Sequence, residues 1–271
     1  MKRIDSLLVE KKYFPTRQKA QYAIKQKSIL VEGEVVQKPS KLVEEDSKIE
    51  IQGEVLPFVS RGGLKLQKAI EVFGIDLQEK IAIDIGASTG GFTDCMLQKG
   101  VKKVYAIDVG HGQLVDSLKE DDRVINLEGI NIKDLSKEFE KVDFISIDVS
   151  FISLTQVLKK AHQLLKPKGD LVALIKPQFE AGAEALNKNG VVKDKKIQAK
   201  VIDKIMLYAS SLGFVVKNFD YSPIKGGNGN IEYLLYLNKQ KSDFDLFRKR
   251  ENIKQVVETA HKELKKKEER I

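Results

Sequence analysis

The first 54 residues show the hydrophobic spacing of two short amphipathic helices. Three apolar residues share one face of the first helix: Ile4, Leu7 and Leu8. Pro15 is expected to end this helix, because a proline has no backbone N–H to donate and its ring clashes with the preceding turn. Thr16 is a suitable N-cap for a second helix over residues 17–27.

A β-hairpin is predicted directly after the second helix. Residues 29–31 and 35–36 are apolar and flank Gly33, which can adopt the left-handed conformation of a tight turn. Residues 48–51 predict one further strand. We therefore assign residues 1–54 to a small α+β domain and residues 55–60, which include Pro57, to a linker.

From residue 61 the pattern changes to longer apolar strands that alternate with helices. After a helix over 61–73, seven strands are predicted: 81–85, 104–108, 124–127, 142–148, 171–176, 214–220 and 232–237. Three further helices are predicted between them: 93–98, 154–165 and 194–212. Strands that are apolar throughout favour a mostly parallel sheet with helices on both faces. The expected fold of residues 61–240 is therefore a Rossmann-like α/β domain with an antiparallel closing strand.

Residues 241–271 predict a charged helix with one apolar stripe. The stripe consists of five residues: Leu246, Ile253, Val257, Ala260 and Leu264. We expect this helix to pack on its own domain or to fray in solvent.

Composition narrows the class of protein. Hydrophobic residues make up 42% of the chain and charged residues 32%, as in folded globular proteins. No apolar run approaches the roughly 20 residues of a membrane helix, and no signal-peptide core is present, so a cytoplasmic location is expected. The single cysteine, Cys95, excludes an intramolecular disulfide, and the three histidines lack metal-ligand spacing, so no metal is predicted. The net charge of +8 fits a polyanionic partner.

A glycine-rich loop after the strand 81–85 predicts a nucleotide-type cofactor site. The residues assigned to this loop and its strand are Asp84, Gly86, Ser88, Gly90 and Gly91. Ligands of open parallel sheets lie at the carboxyl ends of the strands, and glycine lets the backbone approach them closely. Asp108 ends the next strand, where it can accept hydrogen bonds from both ribose hydroxyls of an adenosine. The spacing G-x-x-x-G-G differs from the dinucleotide fingerprint, so S-adenosylmethionine is favoured over NAD.

Four ionisable residues are predicted to meet at the same edge of the sheet. Asp148 and Lys176 follow two strands, Glu232 precedes the last strand, and Lys65 lies on the helix before the sheet. A lysine directly after a buried strand is costly unless a carboxylate pairs with it. Taken singly, each of these residues could be part of an ordinary salt bridge or a solvated surface, whereas their joint presence favours a catalytic site.

Three stretches of the first domain resemble the alpha-L RNA-binding module: 3–8, 16–20 and 29–35. This module occurs in a small-subunit ribosomal protein, in pseudouridine synthases and in some RNA methyltransferases. The resemblance implies that basic side chains bind RNA, and the residues assigned to this role are Arg3, Arg17, Lys19, Lys25 and Arg61. A helix–hairpin domain used for protein contact is the alternative.

The four ionisable residues resemble the Lys-Asp-Lys-Glu tetrad of the FtsJ-type ribose 2'-O-methyltransferases, and the whole chain resembles the TlyA family. The matching stretches are 59–66, 84–94, 107–114, 148–154, 176–180 and 229–232. The resemblance implies methylation of cytidine 2'-hydroxyls in ribosomal RNA, on ribosomal subunits, with S-adenosylmethionine as the donor. Residues 128–131 depart from the family pattern, which has Arg-Thr before the asparagine; Asn131 is nevertheless assigned to the adenine side.

The expected roles within the tetrad follow from this resemblance and from the charges. Lys176 would steer or deprotonate the ribose hydroxyl, and Asp148 would hold Lys176 and also lie near the methyl group of the cofactor. Lys65 and Glu232 would support this pair and the ribose. A general base must carry a neutral amine, so the choice between orientation and deprotonation by Lys176 stays open.

Three other functions fit parts of the sequence. A non-catalytic RNA-binding protein of ribosome assembly would keep the fold without the chemistry. Members of the TlyA family are also called haemolysins, so a membrane-active protein is a second alternative. An NAD-dependent oxidoreductase is the third, and the glycine spacing disfavours it.

Overall fold

The computed structural model describes residues 1–14, 17–25, 27–52, 56–136, 138–240 and 250–268, without the side chains of Gln18, Tyr22, Lys267 and Glu268. The chain divides into two compact units, Met1–Arg61 and Gly62–Ile271. The described residues of each unit enclose a hydrophobic core.

The described part of the first unit contains two helices and short strands. In chain order these are β1 (Lys2–Arg3), α1 (Ile4–Glu10), α2 (Arg17–Lys25), β2 (Ile29–Val31), β3 (Glu34–Val35), β4 (Leu42–Val43) and β5 (Ile49–Ile51). The strand β2 lies between β3 and β5 in an antiparallel sheet, so the predicted hairpin and third strand are confirmed. The hairpin turns at Glu32 and Gly33, which both have positive φ, at 52° and 79°.

The pairing of β1 with β4 was not predicted from the sequence. Each strand has two residues, which is too short for an alternating hydrophobic pattern to be recognised. The second helix is described over Arg17–Lys25, in agreement with the expected helix from residue 17 to about residue 27. Pro15 and Thr16, which were expected to separate the two helices, lie outside the described residues.

The second unit alternates strands and helices as expected. Its elements are α3 (Gly62–Phe73), β6 (Ile81–Ile85), α4 (Gly91–Gln98), β7 (Lys103–Asp108), α5 (Asp116–Lys119), β8 (Val124–Glu128), β9 (Val142–Ile147), α6 (Thr155–Leu164), β10 (Leu165–Ile175), α7 (Pro177–Glu180), α8 (Lys195–Ser211), β11 (Val215–Tyr221), β12 (Tyr233–Asn238) and α9 (Ile253–Glu268). The short helices α5 and α7 were not predicted, because one turn of helix shows no periodicity.

The sheet of the second unit has the strand order β11-β12-β10-β9-β6-β7-β8. The five strands from β10 to β8 are parallel, and β12 runs antiparallel to both of its neighbours. This confirms the mostly parallel Rossmann-like fold with an antiparallel strand near one edge. The start of β12 therefore lies beside the end of β10, where Tyr233 pairs with Ile175.

The strand β10 begins earlier than the sequence indicated. It starts at Leu165 rather than at residue 171, and its register against β9 shifts between Leu165 and Asp170. The intervening residues are mostly polar, and Lys168 has a positive φ of 62°. A hydrophobic pattern does not reveal a strand through such an irregularity, because the apolar alternation is interrupted there.

The C-terminal helix α9 packs on its own unit. Four residues of its predicted stripe are buried in the main core: Ile253, Val257, Ala260 and Leu264. A polar contact fixes the helix to α8, because His261 Nε2 lies 2.9 Å from Gln198 Oε1. The fifth residue of the predicted stripe, Leu246, lies outside the described residues.

Candidate active site

The four predicted tetrad residues come together at the carboxyl edge of the parallel sheet. Lys176 Nζ lies 2.6 Å from Asp148 Oδ1. Lys65 Nζ lies 2.7 Å from Glu232 Oε2 and 3.5 Å from Asp148 Oδ2. The four side chains therefore form one continuous chain of alternating charges in the order Lys176, Asp148, Lys65, Glu232.

The sheet topology explains why residues so distant in sequence meet. Asp148 and Lys176 directly follow β9 and β10, which are parallel neighbours, so their carboxyl ends coincide. Glu232 directly precedes β12, and an antiparallel strand begins at the edge where its parallel neighbour ends. Lys65 is presented by the first turns of α3 and completes the set.

Burial makes these ion pairs strong. Lys65, Lys176 and Glu232 expose no more than 8% of their surface. Burial alone would raise the pKa of Asp148, but the ammonium groups of Lys65 and Lys176 outweigh it and hold the pKa below its usual value. Burial alone would lower the pKa of Lys65, and the carboxylates of Asp148 and Glu232 reverse this so that its pKa is raised. Asp148 is therefore an anion and Lys65 a cation at neutral pH.

A hydroxyl group that the sequence analysis did not single out contacts the tetrad. Lys176 Nζ donates a hydrogen bond of 2.9 Å to Ser150 Oγ, in addition to its ion pair with Asp148. Ser150 lies on the exposed loop after β9. The ammonium group is therefore oriented by two acceptors from the same loop.

The same loop carries an exposed aromatic ring. Phe151 is 91% exposed, and its backbone has a positive φ of 64°, which is unusual for a bulky residue. Its ring lies 5.0 Å from that of Phe179, measured between centroids. Strained backbone and exposed aromatic surface concentrate at functional sites. One feature of the sequence could have pointed to Phe151. It lies three residues after Asp148, in the loop that follows the strand.

The glycine loop approaches the loop after β9 closely. Gly86 has a φ of +83°, and a Cβ atom at this position would lie 2.6 Å from the carbonyl oxygen of Asp148. A side chain at Gly86 would therefore push Asp148 away from the tetrad. Gly90 has a φ of +97° and is the N-cap residue of α4, as expected for a glycine loop that opens a helix.

Asp84 links the strand before the glycine loop to two neighbouring elements. Its carboxylate is fully buried, and it accepts hydrogen bonds from the hydroxyls of Thr93, at 2.7 Å, and Ser146, at 2.9 Å. Burial raises the pKa of Asp84 to about 6, although these two hydrogen bonds act in the opposite direction. The two hydroxyls thus connect the end of β6 to α4 and to β9.

The proposed adenosine side of the site is built on the next two strands. Asp108 accepts backbone hydrogen bonds of 2.8 Å from Ser88 and from Gly110. Glu128 ends β8 and accepts from the backbone of Gln113 and Leu114, and these bonds lower its pKa to about 2. Asn131 Oδ1 accepts from the backbone N–H of Lys133.

The residues present fit S-adenosylmethionine. A carboxylate at the end of β7, Asp108, is partly exposed and can accept hydrogen bonds from hydroxyls of a ribose. The segment 86–91 carries no large side chain, so a ligand can approach its backbone closely. Asp148 provides a carboxylate between this loop and Lys176.

The residues assigned to RNA binding lie in the first unit. Arg3 and Arg17 both contact the buried carboxylate of Asp5. Lys25 and Arg61 are exposed, and Lys19 Nζ donates to the carbonyl oxygen of Pro57.

Two further findings concern membranes and metals. None of the helices that the structure describes has the length and apolar character required to cross a membrane. Within the described ranges, no cluster of three His, Cys, Asp or Glu side chains could hold a metal ion.

Cys95 is buried, and burial raises its pKa to about 12, so its thiol stays protonated.

Comparison with protein families identifies both units. Residues 58–239 match the FtsJ-like methyltransferases, and residues 2–49 match the S4 domain. The chain is therefore an FtsJ-like methyltransferase with an N-terminal S4 domain.

Comparison with individual proteins indicates the family to which this methyltransferase belongs. YqxC of Bacillus subtilis, whose name proposes an rRNA methyltransferase, is 44% identical, and the match covers 98% of this chain and 96% of that protein. The 16S/23S rRNA (cytidine-2'-O)-methyltransferase TlyA of Mycobacterium tuberculosis is 36% identical over 88% of this chain and 90% of its own length. A solved structure from Streptococcus thermophilus, described as a candidate hemolysin, shares 44% identity at a TM-score of 0.77, with 99% of this chain and 98% of that chain covered. The chain belongs to the TlyA family.

Proposed function

We propose that this protein methylates the 2'-hydroxyl of a cytidine ribose in ribosomal RNA, with S-adenosylmethionine as the methyl donor. The observation that carries this proposal is the buried Lys-Asp-Lys-Glu chain, in which Asp148 lies 2.6 Å from Lys176 and 3.5 Å from Lys65. The name of the Mycobacterium tuberculosis relative supports cytidine in ribosomal RNA as the substrate.

The work of the protein in this reaction is to position one hydroxyl, whose proton passes to solvent water as its oxygen is methylated. S-adenosylmethionine, when bound, supplies an electrophilic methyl group. Lys176 is held by Asp148 and Ser150 and has three N–H donors, so a third donor can orient the ribose oxygen. Correct orientation of two reacting groups accounts for several kcal/mol of a reaction barrier.

The charges of the tetrad assign anchoring roles to Asp148, Lys65 and Glu232. Asp148 is held as an anion by two cations, so it is a poor proton acceptor but a strong anchor for both lysines. Lys65 is held as a cation by Asp148 and Glu232. We assign Lys176 to the hydroxyl because its contacts with Asp148 and Ser150 leave one N–H donor, while Lys65 and Glu232 fix the position of Asp148.

The ring of Phe151 supplies a surface for the base of the target nucleotide. This ring is exposed at 91% and directly follows Ser150, which contacts Lys176, so it offers an apolar face on which a base removed from its stack can lie. Stacking on an aromatic side chain contributes about 1–3 kcal/mol per base and tolerates any base. This contact therefore holds a nucleotide without selecting cytidine.

The test is methyl transfer from labelled S-adenosylmethionine to purified ribosomal subunits. We expect 2'-O-methylated ribose with the wild-type protein and a loss of at least about a hundredfold with Lys176→Ala, because correct orientation of the reacting hydroxyl accounts for several kcal/mol of the barrier. Lys159→Ala, which removes an exposed lysine of α6, is the matched control and should keep full activity. Cofactor binding without transfer to either subunit would contradict the proposed substrate.

A further inference from the structure

A buried carboxylate organises the two arginines of the first unit. Asp5 lies in the first turn of α1 and its side chain has no exposed surface. Arg3 Nε donates to Asp5 Oδ1 at 3.1 Å, and Arg3 Nη2 donates to Oδ2 at 2.9 Å. Arg17 Nη2 and Gln21 Nε2 donate to the same Oδ2 at 2.9 Å and 2.7 Å. One carboxylate thus joins the end of β1, the start of α1 and the start of α2.

The group is charged and its net charge is positive. The hydrogen bonds from Arg3, with those from Gln21 and Arg17, outweigh burial and hold the pKa of Asp5 well below its usual range. Asp5 is therefore an anion at neutral pH, and two guanidinium cations surround it. The three groups together carry a charge of about +1, because an arginine stays protonated in proteins.

The two guanidinium groups keep donors outside this contact. The bonds to Asp5 use two of the five N–H groups of Arg3 and one of those of Arg17. Arg3 and Arg17 expose 46% and 53% of their side chains, so these remaining donors are close to solvent. Asp5 also fixes the orientation of both guanidinium planes, which removes much of the entropy loss that long side chains undergo on binding.

We propose that Asp5 is a positioning residue that holds Arg3 and Arg17 as one binding site for a phosphate group of the RNA backbone. This inference rests on the proposed function in that it requires an RNA ligand, but it concerns the first unit alone. Guanidinium groups bind phosphate oxygens in pairs of parallel hydrogen bonds, and this geometry requires a fixed plane.

The substitution Asp5→Asn distinguishes positioning from simple electrostatics. Removing a negative charge from a basic surface strengthens RNA binding if only the net charge matters. If Asp5 positions the arginines, the same change weakens binding, because the amide carries no negative charge and replaces one of the two acceptor oxygens by an NH2 donor that faces a guanidinium group. We expect about tenfold weaker binding of a labelled RNA hairpin at low salt, which corresponds to the loss of one charge-assisted contact. Asp46→Asn, which removes an exposed carboxylate of the same unit, is the matched control and should leave binding unchanged or slightly stronger.

A purely structural role of Asp5 is tested by a thermodynamic cycle in the full-length protein. If Asp5 acts through the arginines, adding Asp5→Asn to Arg17→Ala costs much less affinity than it costs in the wild type. Two independent, additive losses would contradict the proposal, and so would an affinity of Asp5→Asn equal to or above that of the wild type. Thermal unfolding measured on the same samples shows whether each variant is folded.

A second pair of variants covers the case in which Asp5→Asn unfolds the first unit. Arg3→Lys and Arg17→Lys keep the charge but lose the planar group, so the proposal predicts several-fold weaker binding for each. Unchanged RNA affinity in both would overturn it. These measurements use RNA binding without a methyl donor, so a failure of the proposed methyl transfer would not be mistaken for a failure of this site.

Discussion

At the scale of single residues, the arrangement around Lys176 determines what the site can do. Its ammonium group is held between Asp148 and Ser150, and both acceptors come from the loop after β9. The four charged residues could be predicted from the sequence, because each occupies an end of a strand or the helix before the sheet. Ser150 could not, because a serine in a loop has many ordinary roles and only its contact with Lys176 distinguishes it.

The contact with Ser150 gives a prediction for the rate of methyl transfer. Ser150→Ala removes one of the two acceptors that orient Lys176, so we expect kcat to fall about tenfold, the equivalent of roughly 1.4 kcal/mol. The affinity for S-adenosylmethionine should change less than twofold, roughly within 0.4 kcal/mol. Steady-state kinetics and calorimetric binding test this, with Ser211→Ala at the end of α8 as the control. A normal kcat in Ser150→Ala would show that Asp148 alone orients the lysine.

The buried carboxyl group of Asp84 gives a prediction for stability against pH. Its folded-state pKa of about 6 is raised above the ordinary value of 3.8. The folded state therefore binds the proton more tightly than the unfolded state, so this group's contribution to the free energy of unfolding falls as pH rises from 4 to 6. The expected loss is about 3 kcal/mol and is complete above pH 6.

Comparison with Asp84→Asn isolates this contribution. Between pH 4 and pH 7 the stability of the wild type relative to the variant should decrease, as measured by urea unfolding at several pH values. A difference between the two proteins that stays constant with pH would mean that Asp84 titrates normally in the folded state.

At the scale of helices and strands, hydrophobic periodicity predicted the long elements and missed the short ones. The strands β6, β7 and β9 and the helices α6 and α8 lie within a few residues of the expected limits, because each is long enough to show a period. The pair β1 and β4 and the helices α5 and α7 have two to four residues each and show none. The directions of the strands predicted that the four tetrad residues meet at the carboxyl edge of the parallel sheet. The distances between their side chains could be obtained only from the structure.

The C-terminal helix α9 gives a prediction at this scale. Leu264 is 3% exposed and belongs to the main core, so Leu264→Ala should lower the free energy of unfolding. The expected loss is about 2–5 kcal/mol, as for other buried leucines. Lys262→Ala, on the exposed face of the same helix, should change stability by less than about 0.5 kcal/mol. Equal stabilities in denaturant unfolding would show that α9 frays in solution.

At the scale of the whole molecule, two compact units have different tasks in this account. The second unit carries the tetrad and the glycine loop, and the first carries the arginine site around Asp5. The match of the two family models to residues 2–49 and 58–239 agrees with two units. The net charge of +8 favours a polyanion as the shared partner.

This division of tasks predicts different responses to salt. RNA binding depends on phosphate contacts, so raising the monovalent salt concentration from 50 to 200 mM should weaken it by about tenfold or more. Binding of S-adenosylmethionine, which we propose to depend on the glycine loop and Asp108, should change by less than about twofold over the same range. Filter binding of ribosomal RNA and calorimetry with the cofactor measure the two. Equal salt dependence would contradict separate sites.

The central claim is that the Lys-Asp-Lys-Glu chain transfers a methyl group to a ribose hydroxyl of ribosomal RNA. The most direct measurement is mapping of 2'-O-methylated nucleotides in ribosomal subunits after incubation with S-adenosylmethionine and either the wild type or Lys176→Ala. The account predicts a methylated cytidine with the wild type and its absence with Lys176→Ala, while both proteins bind the cofactor. A methyl group found on a base, or equal 2'-O-methylation by the two proteins, would contradict it.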